Sequence, residues 1–226
     1  MHPLSARLAD VAALCPPGAV VADIGSDHGL LPLALLRSGR APRAIAVDLH
    51  PGPVAQLRAR AAGEPRLEVR AGDGLAPLAP GEAQVIVLAG IGARLAERLL
   101  RAAPAVWAAA ERVVVQVNEG PEELRAALLG LGMELVDQRF VEERGRPFFT
   151  DALRLARGPA GAPPGGAAAL LGTALLAAPS PALRRWVERE RARVDAILQQ
   201  RADAPPPALV ARRAALVEAE TAWGPA

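Results

Sequence analysis

Residues 21–32, VADIGSDHGLLP, contain the transition that decides the fold. An apolar run ends in an acid and a glycine-containing turn, and a leucine-rich helical pattern follows at once. A buried strand that feeds a helix through such a turn is the repeating unit of a parallel sheet. Because ligands of parallel sheets bind beyond the carboxyl ends of the strands, residues 25–29 are the first place to search for a site.

The same alternation continues on both sides of this stretch. Strands are predicted at 19–24, 43–48, 66–73, 84–90 and 112–118, and helices at 4–14, 30–39, 53–63, 94–102 and 121–131. Residues 133–143 and 147–157 then follow each other without a helix, with Gly145 between them, and predict an antiparallel hairpin. The pattern favours an α/β fold whose mostly parallel sheet has helices on both faces and ends in that hairpin.

The C-terminal part changes in composition. Residues 158–169, GPAGAPPGGAAA, are typical of a connector, and a helical pattern follows in which Pro181 starts one segment and Pro205-Pro206-Pro207 ends it. The prediction is a main domain over 1–157, a connector over 158–169 and a helical hairpin over 170–226. Packing of this hairpin on the sheet is the preferred use of its apolar residues.

Composition limits the classes of function. The chain has 226 residues, a formal charge of +2 and a single cysteine, Cys15, so an intramolecular disulfide and a thiolate metal cluster are excluded. Three scattered histidines predict no metal site. No apolar stretch is long enough to span a bilayer and no signal-peptide pattern is present, so we expect a cytoplasmic protein without a membrane partner. An ordinary solvated arginine surface and an RNA-binding surface remain open alternatives.

Three acids follow the first three predicted strands. The G-x-G-x-x-G pattern that seats a pyrophosphate is absent, and Asp23 and Asp27 suit a ligand with an ammonium group instead. Asp48 is placed to accept hydrogen bonds from ribose hydroxyls, and Asp73 from an adenine amine, with Gly72 and Gly74 leaving room for a flat ring. This order favours S-adenosylmethionine over NAD. A capping or turn role is the alternative for each acid taken alone, and His28 either lines the pocket or caps the following helix.

Four motifs together resemble one family. The string ADIGSDH at 22–28, GDGL at 72–75, AGIG at 89–92 and QVN at 116–118 are similar to those of bacterial tRNA adenine-N1 methyltransferases of the TrmK type. The resemblance runs from about residue 4 to the end. It implies a Rossmann-like class I methyltransferase that uses S-adenosylmethionine to methylate N1 of adenine 22 in tRNA, with a coiled-coil-like C-terminal part that engages the tRNA.

The resemblance also implies site residues, and some positions depart from the family pattern. The implied cofactor-binding residues are Asp23, Gly25, Ser26, Asp27, His28, Gly29, Asp48, Leu49, Gly72, Asp73, Gly74, Ala89 and Gly90. Gly92 and Gln116 belong to the same catalytic-face motifs. The family sequences AGMGG and QPN read AGIGA and QVN here, and a common aromatic is Leu30. The cofactor half is therefore better preserved than the substrate half.

Adenine N1 carries its own lone pair, so the reaction needs positioning more than a strong base. Asp27, Gly90 and Asn118 are the predicted catalytic residues, although Asn118 is equally suited to cap a strand end. Phe148, Phe149 and Trp107 are candidates to stack on the base, with a core role preferred for each. The predicted RNA-binding residues are Arg94, Arg98, Arg101, Arg184, Arg185 and Arg189, with solvated helix faces as the alternative.

Two other readings of the function stay open. In the first, the chain is a methyltransferase of the same fold that acts on another RNA or on a small molecule. In the second, it is a non-catalytic relative that binds cofactor or RNA. The altered AGIGA loop permits the first of these, and the intact acids disfavour loss of cofactor binding. The oligomeric state is also open, with a monomer as the preferred expectation.

Overall fold

A computed structural model describes residues 4–158 and 163–224. Its strands are β1 (Val21–Ile24), β2 (Ala44–Asp48), β3 (Leu67–Ala71), β4 (Val85–Ile91), β5 (Arg112–Val117), β6 (Met133–Glu143) and β7 (Arg146–Leu155). They form one sheet in the order β3-β2-β1-β4-β5-β7-β6. The first five strands are parallel, and β7 runs antiparallel to both β5 and β6. The predicted α/β fold and its final antiparallel hairpin are confirmed.

Ten helices surround and extend this sheet within the described residues. They are α1 (Ala6–Ala13), α2 (Leu30–Arg37), α3 (Pro51–Ala61), α4 (Ala93–Ala102), α5 (Pro104–Ala108), α6 (Pro121–Gly130), α7 (Gly166–Leu171), α8 (Thr173–Ala177), α9 (Pro181–Gln200) and α10 (Pro207–Trp223). Of these helices, none is both long and apolar enough to cross a membrane. Short α5, α7 and α8 were not predicted, because each is too brief to show a helical period.

Both faces of the central strands are buried. Along β1 and β4, Val21 and Val87 face the cluster formed with α1, α2 and α3, whereas Ile24 and Leu88 face the cluster formed with α4, α5 and α6. Side chains of a strand alternate between faces, so a strand covered on both sides must be apolar throughout. This explains why these strands appear in the sequence as continuous apolar runs.

The C-terminal helices pack on the hairpin end of the sheet. Buried residues of α7, α8, α9 and α10 form one cluster with Phe149 of β7, and Phe140 of β6 packs against it. The rings of Phe140 and Phe149 meet Trp186 of α9 at centroid distances of 5.8 and 5.3 Å. The predicted helical hairpin is observed as α9 and α10. The predicted connector 158–169 is too long, because α7 begins at Gly166; residues 159–162 lie outside the described residues.

A buried polar network fastens these helices to the sheet. Arg125 of α6 forms an ion pair with Asp151 of β7 at 2.8 Å and donates to the carbonyl oxygen of Ala169 at 2.9 Å. The side chain of Gln138 donates to Asp151 at 2.7 Å and accepts from the amide of Ala174 at 3.1 Å. Arg125 is 1% exposed, so its charge is tolerated only because each partner is in place.

A candidate active site at the carboxyl ends of the strands

The turn after β1 is built around a buried carboxylate. Asp23 is 5% exposed and accepts one hydrogen bond from the Ser26 hydroxyl at 2.6 Å. Gly25 and Asp27 both have a positive φ, of 73° and 48°, and the amide of Asp27 donates to the Asp48 carboxylate at 3.1 Å. Positive φ is uncommon for a residue other than glycine, and such residues are concentrated at functional sites.

Burial controls the protonation of Asp23. It raises the pKa of the carboxyl to about 6, the hydrogen bond from Ser26 opposes this rise, and the nearby charge of Asp48 adds to it. A carboxylate that is buried with no cation beside it is held at a cost in free energy. The site therefore favours a ligand that brings a positive charge to Asp23.

Asp48 connects the turns after three adjacent strands. It is 7% exposed, and its two carboxylate oxygens accept from the amides of Asp27 and His50 at 3.1 and 3.0 Å. Its carbonyl oxygen accepts from the amide of Gly72 at 3.0 Å. Leu49, the next residue, is 54% exposed beside it. Each carboxylate oxygen keeps a second lone pair, so Asp48 can still accept from a ligand hydroxyl.

The turn after β3 differs from its predicted role in two respects. The carboxylate of Asp73 is exposed and binds the Arg98 guanidinium at 3.0 Å, which lowers the pKa of this acid. The expected room for a ring at Gly72 and Gly74 is not present. A Cβ atom would lie 2.8 Å from Pro77 at Gly72 and 2.4 Å from Leu99 at Gly74, so protein atoms fill both spaces.

Gly29 and His28 also differ from expectation. A Cβ atom at Gly29 would lie 2.8 Å from Leu57, so the absent side chain makes room for α3 and not for a ligand. Gly29 is the N-cap of α2, and no hydrogen bond from the His28 side chain to α2 is observed within the described residues, so the structure does not support the capping alternative for His28. The His28 imidazole instead lies 3.3 Å from the Asp27 carboxylate, and both side chains are exposed.

The ends of β4 and β5 are held together by side chains of β5 and of the loop after it. Gly90 lies at an irregularity in the pairing of β4 with β5 and has a φ of 77°. Its amide donates to the side chain of Gln116 at 3.1 Å, and its carbonyl accepts from the Asn118 side chain at 2.8 Å. Gln116 is completely buried. The predicted residues Ala89, Gly90 and Asn118 therefore meet at one edge, next to the β1 turn.

One residue of this site was missed. Arg7 of α1 donates a side-chain hydrogen bond to Gln116, and its guanidinium lies 5.7 Å from the centre of the Phe148 ring. Because 109 residues separate Arg7 from Gln116, no local pattern could have indicated this contact. Phe148 thus lies near the site. Phe149 packs in the C-terminal cluster, and Trp107 donates to Leu100 in the core, so the core role holds for those two.

A cavity of about 200 Å³ opens between the β1 and β4 turns. Of the predicted residues it brings together Asp23, Gly25, Ser26, Asp27, His28, Ala89 and Gly90. Arg7, Leu8, Leu30, Leu31 and Ile91 complete its wall. Asp48 and Asp73 lie outside the cavity, on the adjoining strand ends. Within residues 4–158 and 163–224, no cluster of His, Cys, Asp and Glu could hold a metal ion.

Most of the predicted RNA-binding arginines already have partners in the protein. Arg98 binds Asp73, Arg101 binds Glu97 at 2.8 Å, and Arg189 binds Glu142. Arg184 lies over the Trp223 ring at 5.4 Å. The remaining two are Arg94 and Arg185, which are both exposed and form no ion pair within the part of the chain that the structure describes.

Comparison with known proteins agrees with this geometry. Residues 4–149 match the methyltransferase domain family. The tRNA (adenine(22)-N(1))-methyltransferase of Bacillus subtilis strain 168 is 37% identical over 146 residues, which are 63% of this chain and 61% of that relative. The alignment thus spans less than two thirds of the relative's length.

Two solved structures resemble nearly the whole chain. The structure of the B. subtilis m1A22 tRNA methyltransferase TrmK has a TM-score of 0.82 and 27% identity, and the match covers 96% of this chain and 98% of that one. Streptococcus pneumoniae Sp1610 in complex with S-adenosyl-L-methionine has a TM-score of 0.83 and 27% identity, covering 96% and 99%.

Proposed function

The chain belongs to the methyltransferase domain family, and we propose that it methylates N1 of an adenine in tRNA with S-adenosylmethionine as the methyl donor. We further propose position 22 as the target, because the B. subtilis relative is named for that position. The observation that carries the proposal is the buried carboxylate of Asp23, whose only described hydrogen-bond donor is Ser26.

The residues of the site fit such a donor. When bound, S-adenosylmethionine supplies a methyl group on a positively charged sulfur, next to an ammonium-bearing aminoacyl chain. Asp23 can balance the ammonium charge inside the cavity, which lowers the cost of its own burial. The two carboxylates of the β1 turn, Asp23 and Asp27, repel a pyrophosphate, so a dinucleotide is a poor fit.

Asp48 and Asp73 extend the proposed cofactor site along the strand ends. Asp48 has lone pairs left for the two ribose hydroxyls, as acids at this position of related folds do. Asp73 would accept from the adenine amine through a lone pair that its two hydrogen bonds from Arg98 leave free. Leu49 offers an exposed apolar side chain to the flat ring.

The acceptor side needs positioning rather than a strong base. Gln116 and Asn118 fix the Gly90 backbone from both sides, and Arg7 holds Gln116 in turn. A base held at this edge would have its N1 close to the Asp27 carboxylate. Methylated adenine is cationic, so the negative charge of Asp27 would stabilise the charge that develops during transfer.

Methyl transfer to bulk tRNA from labelled S-adenosylmethionine, followed by nucleoside analysis, tests the proposal. We expect 1-methyladenosine that maps to position 22 and that decreases strongly in Asp27→Asn. The matched control is Asp203→Asn, an exposed acid far along the chain in the loop between α9 and α10. A different methylated nucleoside would contradict the target base, and cofactor binding without any transfer would contradict the reaction.

A further inference from the structure

A second and larger cavity leads away from the proposed active site. It has a volume of about 1080 Å³ and lies between α1, α2 and the turn that joins β6 to β7. We call it the α1–α2 groove. Its floor is apolar, with Leu8, Leu33 and Ala12 among its lining residues. A floor of this kind suits the flat faces of nucleobases and the carbon atoms of ribose.

The α1–α2 groove is continuous with the active-site cavity. Arg7, Leu8 and Leu30 line both of them. A polymer whose reacting base enters the smaller cavity would therefore place its neighbouring residues in the larger one. This continuity distinguishes the groove from the C-terminal helices, whose residues do not line the active-site cavity.

The charge of the groove is strongly one-sided. Its lining includes Arg7 and four further arginines, Arg37, Arg40, Arg60 and Arg144. The single acid among the lining residues is Glu143, which accepts from the amide of Arg7 at 3.0 Å. The groove thus has an apolar floor and a cationic margin, and a cationic margin of this kind can follow the phosphates of a nucleic-acid strand.

None of these four arginines forms an ion pair within the described residues, although Arg37 and Arg144 lie close enough to Glu64 and Glu143 to act on them electrostatically. Arg40 and Arg60 donate to the carbonyl oxygens of Cys15 and His28, at 2.9 and 3.0 Å, and these acceptors carry no net charge. The Nε of Arg40 is buried without a hydrogen-bond partner within the described residues. Arg37 and Arg144 are exposed and form no ion pair or hydrogen bond there. Arg37, Arg60 and Arg144 are exposed and can meet phosphates directly, and Arg40 adds a half-buried positive charge beside them.

Five of the seven arginines of α9 and α10 provide the contrast, because they are paired with acids, whereas Arg184 and Arg185 form no ion pair within the described residues. Arg189 is paired with Glu142, Arg193 with Glu190, and Arg213 with Asp195. Arg191 and Arg212 each contact two acids. An arginine that already has a carboxylate partner gains less from a phosphate, because the existing pair must first be broken. The balance of charge therefore favours the groove over the C-terminal helices.

The conformation of Arg144 points in the same direction. Arg144 and Gly145 form the two-residue turn between β6 and β7, and their φ angles are 52° and 75°. Turns of this kind favour Asn or Gly at the first position, where arginine is strained. A strained cation at the margin of the groove is consistent with selection for its charge.

We propose that the α1–α2 groove binds the RNA strand that flanks the target adenine, with its bases on the apolar floor and its phosphates at Arg37, Arg40, Arg60 and Arg144. The inference rests on the proposed function, because it assumes an RNA substrate. It assigns the RNA-binding surface to residues on the sheet domain rather than to the arginines of α9.

The test compares two double variants of the full chain that each remove two positive charges. Arg37→Gln with Arg144→Asn alters the groove, keeping helix propensity in α2 and a residue that tolerates the turn. Arg185→Gln with Arg189→Gln alters α9 and is the matched control. The measurements are tRNA affinity over a range of salt concentrations and S-adenosylhomocysteine affinity by calorimetry.

We expect the groove variant to lose about tenfold in tRNA affinity and to reduce the slope of log affinity against log salt by about 1 to 2. Its affinity for S-adenosylhomocysteine should match the unaltered chain, and the α9 variant should keep its tRNA affinity. If the unaltered chain methylates tRNA but only the α9 variant binds it weakly, the groove inference is overturned and the proposed function stands. If the unaltered chain neither binds nor methylates tRNA, both are overturned.

Discussion

Asp23 and Asp151 are two carboxylates in the same sheet with nearly equal burial, 5% and 3% exposed, and opposite surroundings. Asp151 is bound by the guanidinium of Arg125 and the amide of Gln138. Asp23 has the Ser26 hydroxyl, and no cation within the described residues forms an ion pair with it. A buried acid whose partners are supplied by the chain is part of the framework, whereas one left without a counter-charge is prepared for a ligand.

The difference follows from the position of each residue in the sheet. Asp151 lies within β7, between β5 and β6, and α6 supplies its cation. Asp23 lies near the carboxyl end of β1, where the chain turns away and leaves a cavity. Functional sites commonly contain buried polar groups that lack a full set of partners, and stabilising interactions elsewhere in the fold compensate for the lost stability.

The largest expected effect is on stability, and it comes from the acid that is paired within the protein, Asp151. Arg125→Met leaves Asp151 buried without its cation, and we expect a loss of about 3 to 5 kcal/mol in the free energy of unfolding. Urea denaturation at neutral pH measures this loss. Because Arg125 also binds Ala169, the attachment of α7 should loosen as well.

The control for this substitution is the double variant Arg125→Met with Asp151→Leu. Replacement of both members of a buried ion pair by apolar residues is often nearly neutral, so at least half of the lost stability should return. A double variant as unstable as the single one would show that the hydrogen bonds to α7 matter more than the buried charge.

Asp23→Ala should have the opposite profile, with a small effect on folding and a large effect on binding. A charged hydrogen bond contributes about 1.5 to 3 kcal/mol, so affinity for S-adenosylhomocysteine should fall by about 10- to 150-fold. Calorimetric titration gives the affinity, and thermal denaturation of the same sample reports the fold. Unchanged affinity in a folded variant would remove Asp23 from the site.

The pH dependence of binding should follow the raised pKa of Asp23, which is about 6 in the ligand-free chain. The charge that attracts an ammonium is lost as pH falls below 6, so affinity for S-adenosylhomocysteine at pH 5 should be about a tenth of that at pH 8. Asp23→Asn should lack this decrease.

The raised pKa of Asp23 affects folding stability in the opposite direction: acid weakens ligand binding but stabilises the ligand-free fold. Because the folded pKa lies above the unfolded value of 3.8, the contribution of Asp23 to stability is complete below about pH 4 and is lost as pH rises through 6. Denaturation of the ligand-free chain at several pH values should show that Asp23→Asn lacks this component. A stability difference between variant and unaltered chain that stays constant from pH 4 to 8 would contradict the assignment.

The smallest effect is expected from Ser26→Ala. This variant removes the hydroxyl that donates to Asp23 at 2.6 Å, so the pKa of Asp23 should rise further. A hydrogen bond of about 1 kcal/mol corresponds to roughly fivefold weaker binding of S-adenosylhomocysteine at pH 7. Raising the pH should restore part of that loss, whereas a loss independent of pH would mean that Ser26 contacts the ligand itself.

Much of the fold could be predicted from the sequence because periodicity reports burial directly. The apolar runs of β4 and β5 and the unbroken pair β6 and β7 are local signals, and each predicts its strand. The acids Asp23 and Asp48 could be placed at one edge because parallel strands end on the same side. The short helix α7 could not, since its GAAALL stretch continues the composition of the connector.

The contacts of the site were harder to predict than its location. The sequence indicated Gln116 and Asn118 as a motif, but not that Gln116 is shared by Arg7 and Gly90. The role of Gly74 was misjudged because a glycine gives the same signal whether a ligand or Leu99 takes the space. It was also hard to predict which arginines are free to bind RNA, because the acid that pairs with Arg189 is 47 residues away in the sequence.

The two outer strands of the sheet are protected in different ways. At one edge, β3 is short and carries Glu68 and Arg70, which are charged residues that discourage a second chain from pairing there. At the other edge, β6 is 11 residues long and includes Phe140, which packs against the C-terminal helices. A fragment truncated before α7 would expose the aromatic face formed by Phe140 and Phe149, so the C-terminal helices protect this end of the sheet from apolar association.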